Sequence, residues 1–156
     1  MIVVRGKVVE EMTGDALRAL AAAYDSVTID VGAGDGRFAY RYAQAHPRRL
    51  VIALEPVREN VRAMSSKAAR RAERGGLANV LYVAGSIERA PAELRGVANE
   101  IFVTLPWGSL MRGLILGEAT VLAGVASLGA AAAGVRIVLN TRIFDEPLPA
   151  EAQGLP

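Results

Sequence analysis

Thr28-Ile29-Asp30-Val31-Gly32-Ala33-Gly34-Asp35-Gly36 is the stretch from which the rest of this chain is read. A β-branched, apolar run from Val27 to Val31 leads into glycines at every second position. Glycine has no Cβ and tolerates positive φ, so such a loop lets the backbone come close to a nucleotide-like ligand. A dinucleotide-binding turn follows G-x-G-x-x-G, but Arg37 stands where its third glycine belongs. The order is instead D-x-G-x-G-x-G, with Asp30 two residues before the first glycine. A second acid, Glu55, closes the buried-strand run Val51-Ile52-Ala53-Leu54-Glu55. It lies about twenty residues on, the distance at which a carboxylate meets ribose hydroxyls. Without these acids the loop reads as a phosphate-binding or purely structural turn. With both, a ribose-bearing cofactor is expected.

The chain around this loop alternates strands and helices. Ile2 to Val4 and Lys7 to Val9, around Arg5-Gly6, form a hairpin pattern. Thr13 is placed to cap a helix carrying Leu17, Leu20 and Ala21, with Asp15 in its first turn. A helix is expected from Arg37 to Ala45, stopped before Pro47, and a long one from Pro56 to the Gly75-Gly76 stop. Val80 to Val83, Glu100 to Leu105 and Val135 to Leu139 read as further strands, with helices over Leu110 to Leu116 and Ala119 to Leu128 before the last. Such alternation predicts an α/β fold with a doubly wound, mainly parallel sheet. The 156 residues are taken as one domain, and the tail from Asp145 to Pro156, rich in Pro, Glu and Ala, is expected to be poorly ordered.

Composition narrows the chemistry. The 52% hydrophobic content supplies a core, and no apolar run reaches the roughly 18–20 residues a membrane span needs. No basic-then-apolar leader follows Met1, so the cytoplasm is the expected compartment. Cysteine is absent and His46 is the single histidine, which leaves no thiolate or histidine cluster for a metal and no nucleophilic triad. Net charge is +2, so the distribution of the eighteen cations matters more than their sum.

Two further segments carry candidate chemistry. Leu105-Pro106-Trp107-Gly108-Ser109 follows a strand, and open α/β sheets bind ligands beyond the carboxyl ends of their strands. Trp107, on a loop between Pro and Gly, offers a flat face for stacking a base, worth roughly 1–3 kcal/mol; the competing reading is simple core packing. On the helix expected after Pro56, Lys67, Arg70, Arg71 and Arg74 are spaced i, i+3, i+4 and i+7 and so share a face. That face is either a solvated surface with cations favoured near the helix C-terminus or a phosphate-binding strip.

The D-x-G-x-G-x-G loop with Glu55 resembles the cofactor motif of class I S-adenosylmethionine-dependent methyltransferases, which implies their Rossmann-like sheet. The set DVGAGDG, ALEP, GGLANVLY, ERAP and LPWGSLMRG, in this order, is more specific. It resembles the aminoglycoside-resistance 16S rRNA methyltransferases that modify the decoding-site adenine at N1, the kanamycin–apramycin resistance methylases. The likeness runs to about Asn140, and the N-terminal hairpin fits it.

That resemblance implies S-adenosyl-L-methionine as cofactor, held by Asp30, Gly32, Gly34, Asp35, Glu55 and Pro56. It implies Ser86, Ile87 and Glu88 around the adenine of the cofactor, with Leu105 and Ser109 at its edge. Trp107 would stack on a flipped adenine, and Lys67, Arg70, Arg71 and Arg74 would dock on rRNA; from its place on the same loop, and not from the resemblance, the Pro106 carbonyl is expected to accept from the exocyclic amine. The implied partner is the small ribosomal subunit, met by a monomer without metal or membrane. The family carries a second tryptophan and further cations after the strand at Val135–Leu139, and its sheet ends in two more strands. Those C-terminal strands are expected to be missing here.

Adenine N1 has a ring lone pair at neutral pH, so positioning and base extrusion carry most of such a reaction, in keeping with a site lacking His and Cys. An N6-adenine enzyme would show Asn/Asp-Pro-Pro-aromatic where this chain has Leu105-Pro106-Trp107. A small-molecule methyltransferase accounts for the glycine loop but not the cations. A non-catalytic cofactor- or RNA-binding domain accounts for the absent second tryptophan.

Overall fold

The computed structural model describes residues 1–140; the tail expected to lack order lies outside the described residues. The chain runs β1 (Ile2–Arg5), β2 (Val8–Glu11), α1 (Gly14–Ala21), β3 (Ser26–Val31), α2 (Arg37–Ala45), β4 (Arg49–Glu55) and α3 (Arg58–Ala68). It continues through β5 (Val80–Ala84), β6 (Ala98–Thr104), α4 (Gly108–Leu116), α5 (Ala119–Leu128) and β7 (Gly129–Val138). Thr13 caps α1 as expected, its hydroxyl accepting from the Ala16 N–H at 3.2 Å.

One seven-stranded sheet has the order β2-β1-β5-β4-β3-β6-β7. Strands β5, β4, β3, β6 and β7 are parallel, and the hairpin extends the sheet antiparallel through Ile2↔Ala84 and Val3↔Val83. The order reverses at β3, which pairs with β4 on one side and β6 on the other. The glycine loop therefore leaves the sheet at its topological switch point, where α/β sheets open a crevice.

Both faces of the sheet are covered, which is why its central strands read as unbroken apolar runs. Alternation along β4 separates the two cores. Leu50, Ile52 and Leu54 join Leu17, Ile101, Val121 and Leu128 on one side. Val51 and Ala53 join Ala39, Tyr40, Val61 and Tyr82 on the other. Among the described residues no single helix is long and apolar enough to cross a membrane.

Two elements differ from expectation. The helix expected to reach Gly75 ends at Ala68, and Ala72–Arg74 forms a separate 3₁₀ turn. The cause is tertiary. A Cβ on Gly76 would fall 1.7 Å from the Arg70 carbonyl oxygen, the Tyr40 hydroxyl donates to the Gly75 carbonyl at 2.6 Å, and the Leu77 N–H donates to the Ala68 carbonyl at 3.0 Å. The chain is folded back so that Leu77 reaches the second core. The last strand begins at Gly129, six residues before Val135. Between the pairs Ala98↔Gly129 and Glu100↔Gly134 its register slips, with Ala132 at φ 61°. That alanine-rich entry favours a helix locally, and the pairs with β6 on either side of it override that preference.

Candidate active site

The carboxyl ends of β3, β4, β5 and β6 surround a cavity of about 750 Å³. The Gly32–Asp35 loop forms its floor, Glu55, Pro56 and Asn60 one wall, Gly85–Glu88 a second, and Leu105, Trp107 and Ser109 a third. The loop is pinned at its start by Gly32 and Ala33 N–H groups donating to the Leu54 carbonyl at 2.9 and 3.1 Å. Its glycines serve different ends. A Cβ on Gly36 would lie 2.5 Å from the Tyr82 ring, so that residue is glycine for packing. A Cβ on Gly34, at φ 55°, would meet nothing within 4 Å, so space stands open above its Cα for a ligand.

Glu55 organises the wall. It is 6% exposed, and its carboxylate accepts from the Gly34 N–H at 3.0 Å, the Val57 N–H at 3.2 Å and the Asn60 Nδ2 at 3.0 Å. Loop, strand end and the first turn of α3 thus converge on one side chain. Beneath the loop Asp30 is 2% exposed and its Oδ2 has no hydrogen-bond partner. Burial, and then the neighbouring charge of Glu55, push the Asp30 carboxyl up to about 7. An acid pair of this kind favours a cationic, hydroxyl-bearing ligand, whose charge would offset that of Asp30. The open backbone at Gly34 and the unpaired Oδ2 of Asp30 fit a ribosyl sulfonium such as S-adenosylmethionine.

Of the expected cofactor residues, Gly32, Gly34, Asp35, Glu55, Pro56, Ser86, Ile87, Glu88, Leu105 and Ser109 line this cavity, and Trp107 joins them. Asp30 and Pro106 are buried and stand behind the lining. Asp35 has a structural task as well: its Oδ1 accepts from the Arg37 N–H at 2.9 Å, capping α2 where Gly36 has no side chain to do so. The Ser109 hydroxyl donates to Glu88 Oε1 at 3.3 Å, bridging two walls. Asn60, Thr104 and Leu110 also line the cavity and were not anticipated. Asn60 had one signal, an amide donor in the first turn after Glu55.

Trp107 does not pack in the core. It is 71% exposed and holds the N-cap position of α4. Just before it, Leu105 takes φ 50°, a left-handed conformation that costs a side-chain-bearing residue energy. Its N–H donates to the Val138 carbonyl at 2.7 Å, so β7 holds this bend.

The four expected docking cations do not share a helix face, because α3 ends before three of them. Lys67 lies over the Tyr40 ring, its Nζ 4.2 Å from the centroid. Arg70, Arg71 and Arg74 instead surround a separate concavity of about 560 Å³. Among the described residues no group of three His, Asp or Glu side chains is placed to hold a metal ion.

A family model described as 16S rRNA (adenine(1408)-N(1))-methyltransferase matches residues 2–156. A protein of that description from Streptoalloteichus hindustanus is 38% identical over 144 residues, covering 92% of this chain and 66% of the relative. The chain thus spans about two thirds of that relative's length. Among solved structures, a tryptophan-to-alanine variant of the 16S rRNA (adenine(1408)-N(1))-methyltransferase from Catenulisporales acidiphilia, with cosubstrate SAM, superimposes with a TM-score of 0.93 at 39% identity. The match covers 100% of this chain and 70% of that one. The aminoglycoside resistance methyltransferase NpmB1 gives a TM-score of 0.93 at 31% identity, covering 100% of this chain and 78% of its own.

Proposed function

The chain belongs to the 16S rRNA (adenine(1408)-N(1))-methyltransferase family, and from that membership we propose that it methylates N1 of a decoding-site adenine in 16S rRNA and so confers aminoglycoside resistance. The substrate is the small ribosomal subunit, met in the cytoplasm by a monomer that needs no metal. Residues 1–156 act as one S-adenosylmethionine-binding domain.

S-adenosylmethionine, when bound, supplies a methyl group on a sulfonium, an electrophile that a neutral ring nitrogen attacks without first losing a proton. Glu55 takes the ribose hydroxyls, using lone pairs that its three present donors leave free. Gly32 and Gly34 admit the ligand against the backbone, Ile87 packs on the adenine of the cofactor, and Asp30, raised to about 7 without a cation near it, would ionise beneath a cationic ligand. Leu105, Ser109 and Glu88 close the edge.

Trp107 carries the reading. It is the exposed aromatic on the cavity rim, suited to hold a purine drawn out of its stack. Methylation moves positive charge onto the base, and an indole face over that base favours the change. The buried Pro106 shapes the loop and offers its carbonyl to the exocyclic amine. Arg70, Arg71 and Arg74, around their concavity, take rRNA phosphates, with Lys67 beside them.

Transfer of labelled methyl groups to purified small subunits, with primer extension to find the modified base, tests this. Trp107→Ala should lose on the order of 1–3 kcal/mol of stacking, lowering the methylation rate more than subunit affinity. Trp107→Phe should recover part of the loss. A Trp107→Ala protein that methylates at the normal rate, or a modified base other than adenine, overturns the reading.

A further inference from the structure

Cations on this surface fall into two populations. Arg5, Arg18, Arg37, Arg48, Arg49 and Arg112 each meet a carboxylate. Lys7, Arg58 and Arg62 meet none among the described residues, yet they stand together around a groove of about 230 Å³ between the N-terminal hairpin and α3. Three cations face one acid there, Glu59.

The groove is built rather than incidental. The Gly6 N–H of the hairpin turn donates to Ser65 Oγ at 2.9 Å, and that hydroxyl donates to the Arg62 carbonyl at 3.1 Å. A Cβ on Gly6 would come within 3.1 Å of the Ser66 Cβ, so the turn is docked directly on the helix. Lys7 is thereby held beside Arg58 and Arg62, which lie four residues apart on one helical face. Guanidinium groups left unpaired in such a groove suit phosphate, which they can bind through two parallel hydrogen bonds.

We propose that this groove is a second docking point for the RNA phosphate backbone, acting with the Arg70–Arg71–Arg74 concavity at the other end of α3. The inference rests on the RNA-methyltransferase reading above. Helix α3 rises about 15 Å from Arg58 to Ala68 at 1.5 Å per residue, so the two points grip separate stretches of backbone. One point of contact leaves the RNA free to pivot; two fix its orientation. Pro56 and Asn60, two residues to either side of Arg58, line the cofactor cavity, so the groove and the cavity are built on the same helix start.

The test is titration of the full-length protein against purified small ribosomal subunits across a series of salt concentrations. The triple variant Lys7→Ala, Arg58→Ala, Arg62→Ala should bind about tenfold more weakly, with a slope of log affinity against log salt smaller by about two to three. Its affinity for S-adenosylhomocysteine should be unchanged, which shows that it folds. Lys7→Glu, on the turn and off the helix, should weaken binding on its own. If the triple variant keeps wild-type affinity and slope while Arg70→Ala with Arg71→Ala loses both, the groove is excluded and the methyltransferase reading stands. If the wild-type protein itself shows no salt-dependent binding to subunits, that reading fails and the groove fails with it.

Discussion

Two acids sit side by side at the cofactor crevice with opposite tasks. Glu55 lines it and accepts from three donors, while Asp30 is buried beneath with one oxygen unpaired. Glu55→Ala should weaken S-adenosylhomocysteine binding by roughly 1.5–3 kcal/mol, the worth of charge-assisted hydrogen bonds, and calorimetric titration will read it; an unchanged dissociation constant removes Glu55 from the site. Asp30 makes a different prediction. Its carboxyl is raised from 3.8 to about 7, so the folded state keeps a proton that the unfolded chain releases between those values. Stability from this source is full below about pH 4 and is lost as pH rises to about 7. Asp30→Asn, neutral throughout, should flatten that decline and be more stable than wild type at pH 8, by up to about 4 kcal/mol. Urea unfolding at pH 5 and pH 8 checks it, and equal losses in both proteins refute it. The acids, the glycine loop and Trp107 were legible because each belongs to a short pattern tied to a strand end. Asn60 left only the signal of an amide in the first turn after Glu55, and Thr104 left none, since nothing local says which face of a strand end meets the crevice. Nor was the second task of Asp35 legible, which follows from a helix starting at a glycine with no side chain to cap it.

Among the elements, α3 shows best where local pattern stops deciding. Its cations keep helical spacing through Arg74, but Gly75 and Gly76 act earlier than a simple stop, because Gly76 must pass under the Arg70 carbonyl. Gly76→Ala should therefore cost more than the usual helix-end change, on the order of 3 kcal/mol or above. Chemical denaturation would show this, and a loss below about 1 kcal/mol would mean that the loop moves aside. The last strand teaches the same lesson in reverse. Its Ala130–Ala133 entry is held in the strand by the pairs with β6 on either side, Ala98↔Gly129 and Glu100↔Gly134, information held some thirty residues away. Strands buried on both faces, by contrast, were plain from sequence, as was the hairpin, although its docking on β5 was not.

At the scale of the described fold, the sheet order puts the glycine loop, Glu55 and the Trp107 loop on one rim and sets the arginines that follow α3 around a separate concavity. Replacing Arg70, Arg71 or Arg74 singly with alanine should weaken binding to small subunits and reduce the salt slope by about one. An unaltered slope would return those arginines to a solvated surface role. This partition was half legible: the charges were visible in the chain, but their gathering around a concavity depended on a helix break that only the fold supplies.

The hydrogen bond from Leu105 to Val138 joins the cavity rim to β7. A leucine in the left-handed region sits there at a cost, and that bond helps to hold it. A strand two places from the glycine loop thus sets the backbone from which the indole two residues on projects. On the proposed role of Trp107, a change in how β6 and β7 pair would be felt as a change in base capture, and by linkage a purine seated there would tighten that pairing in equal measure.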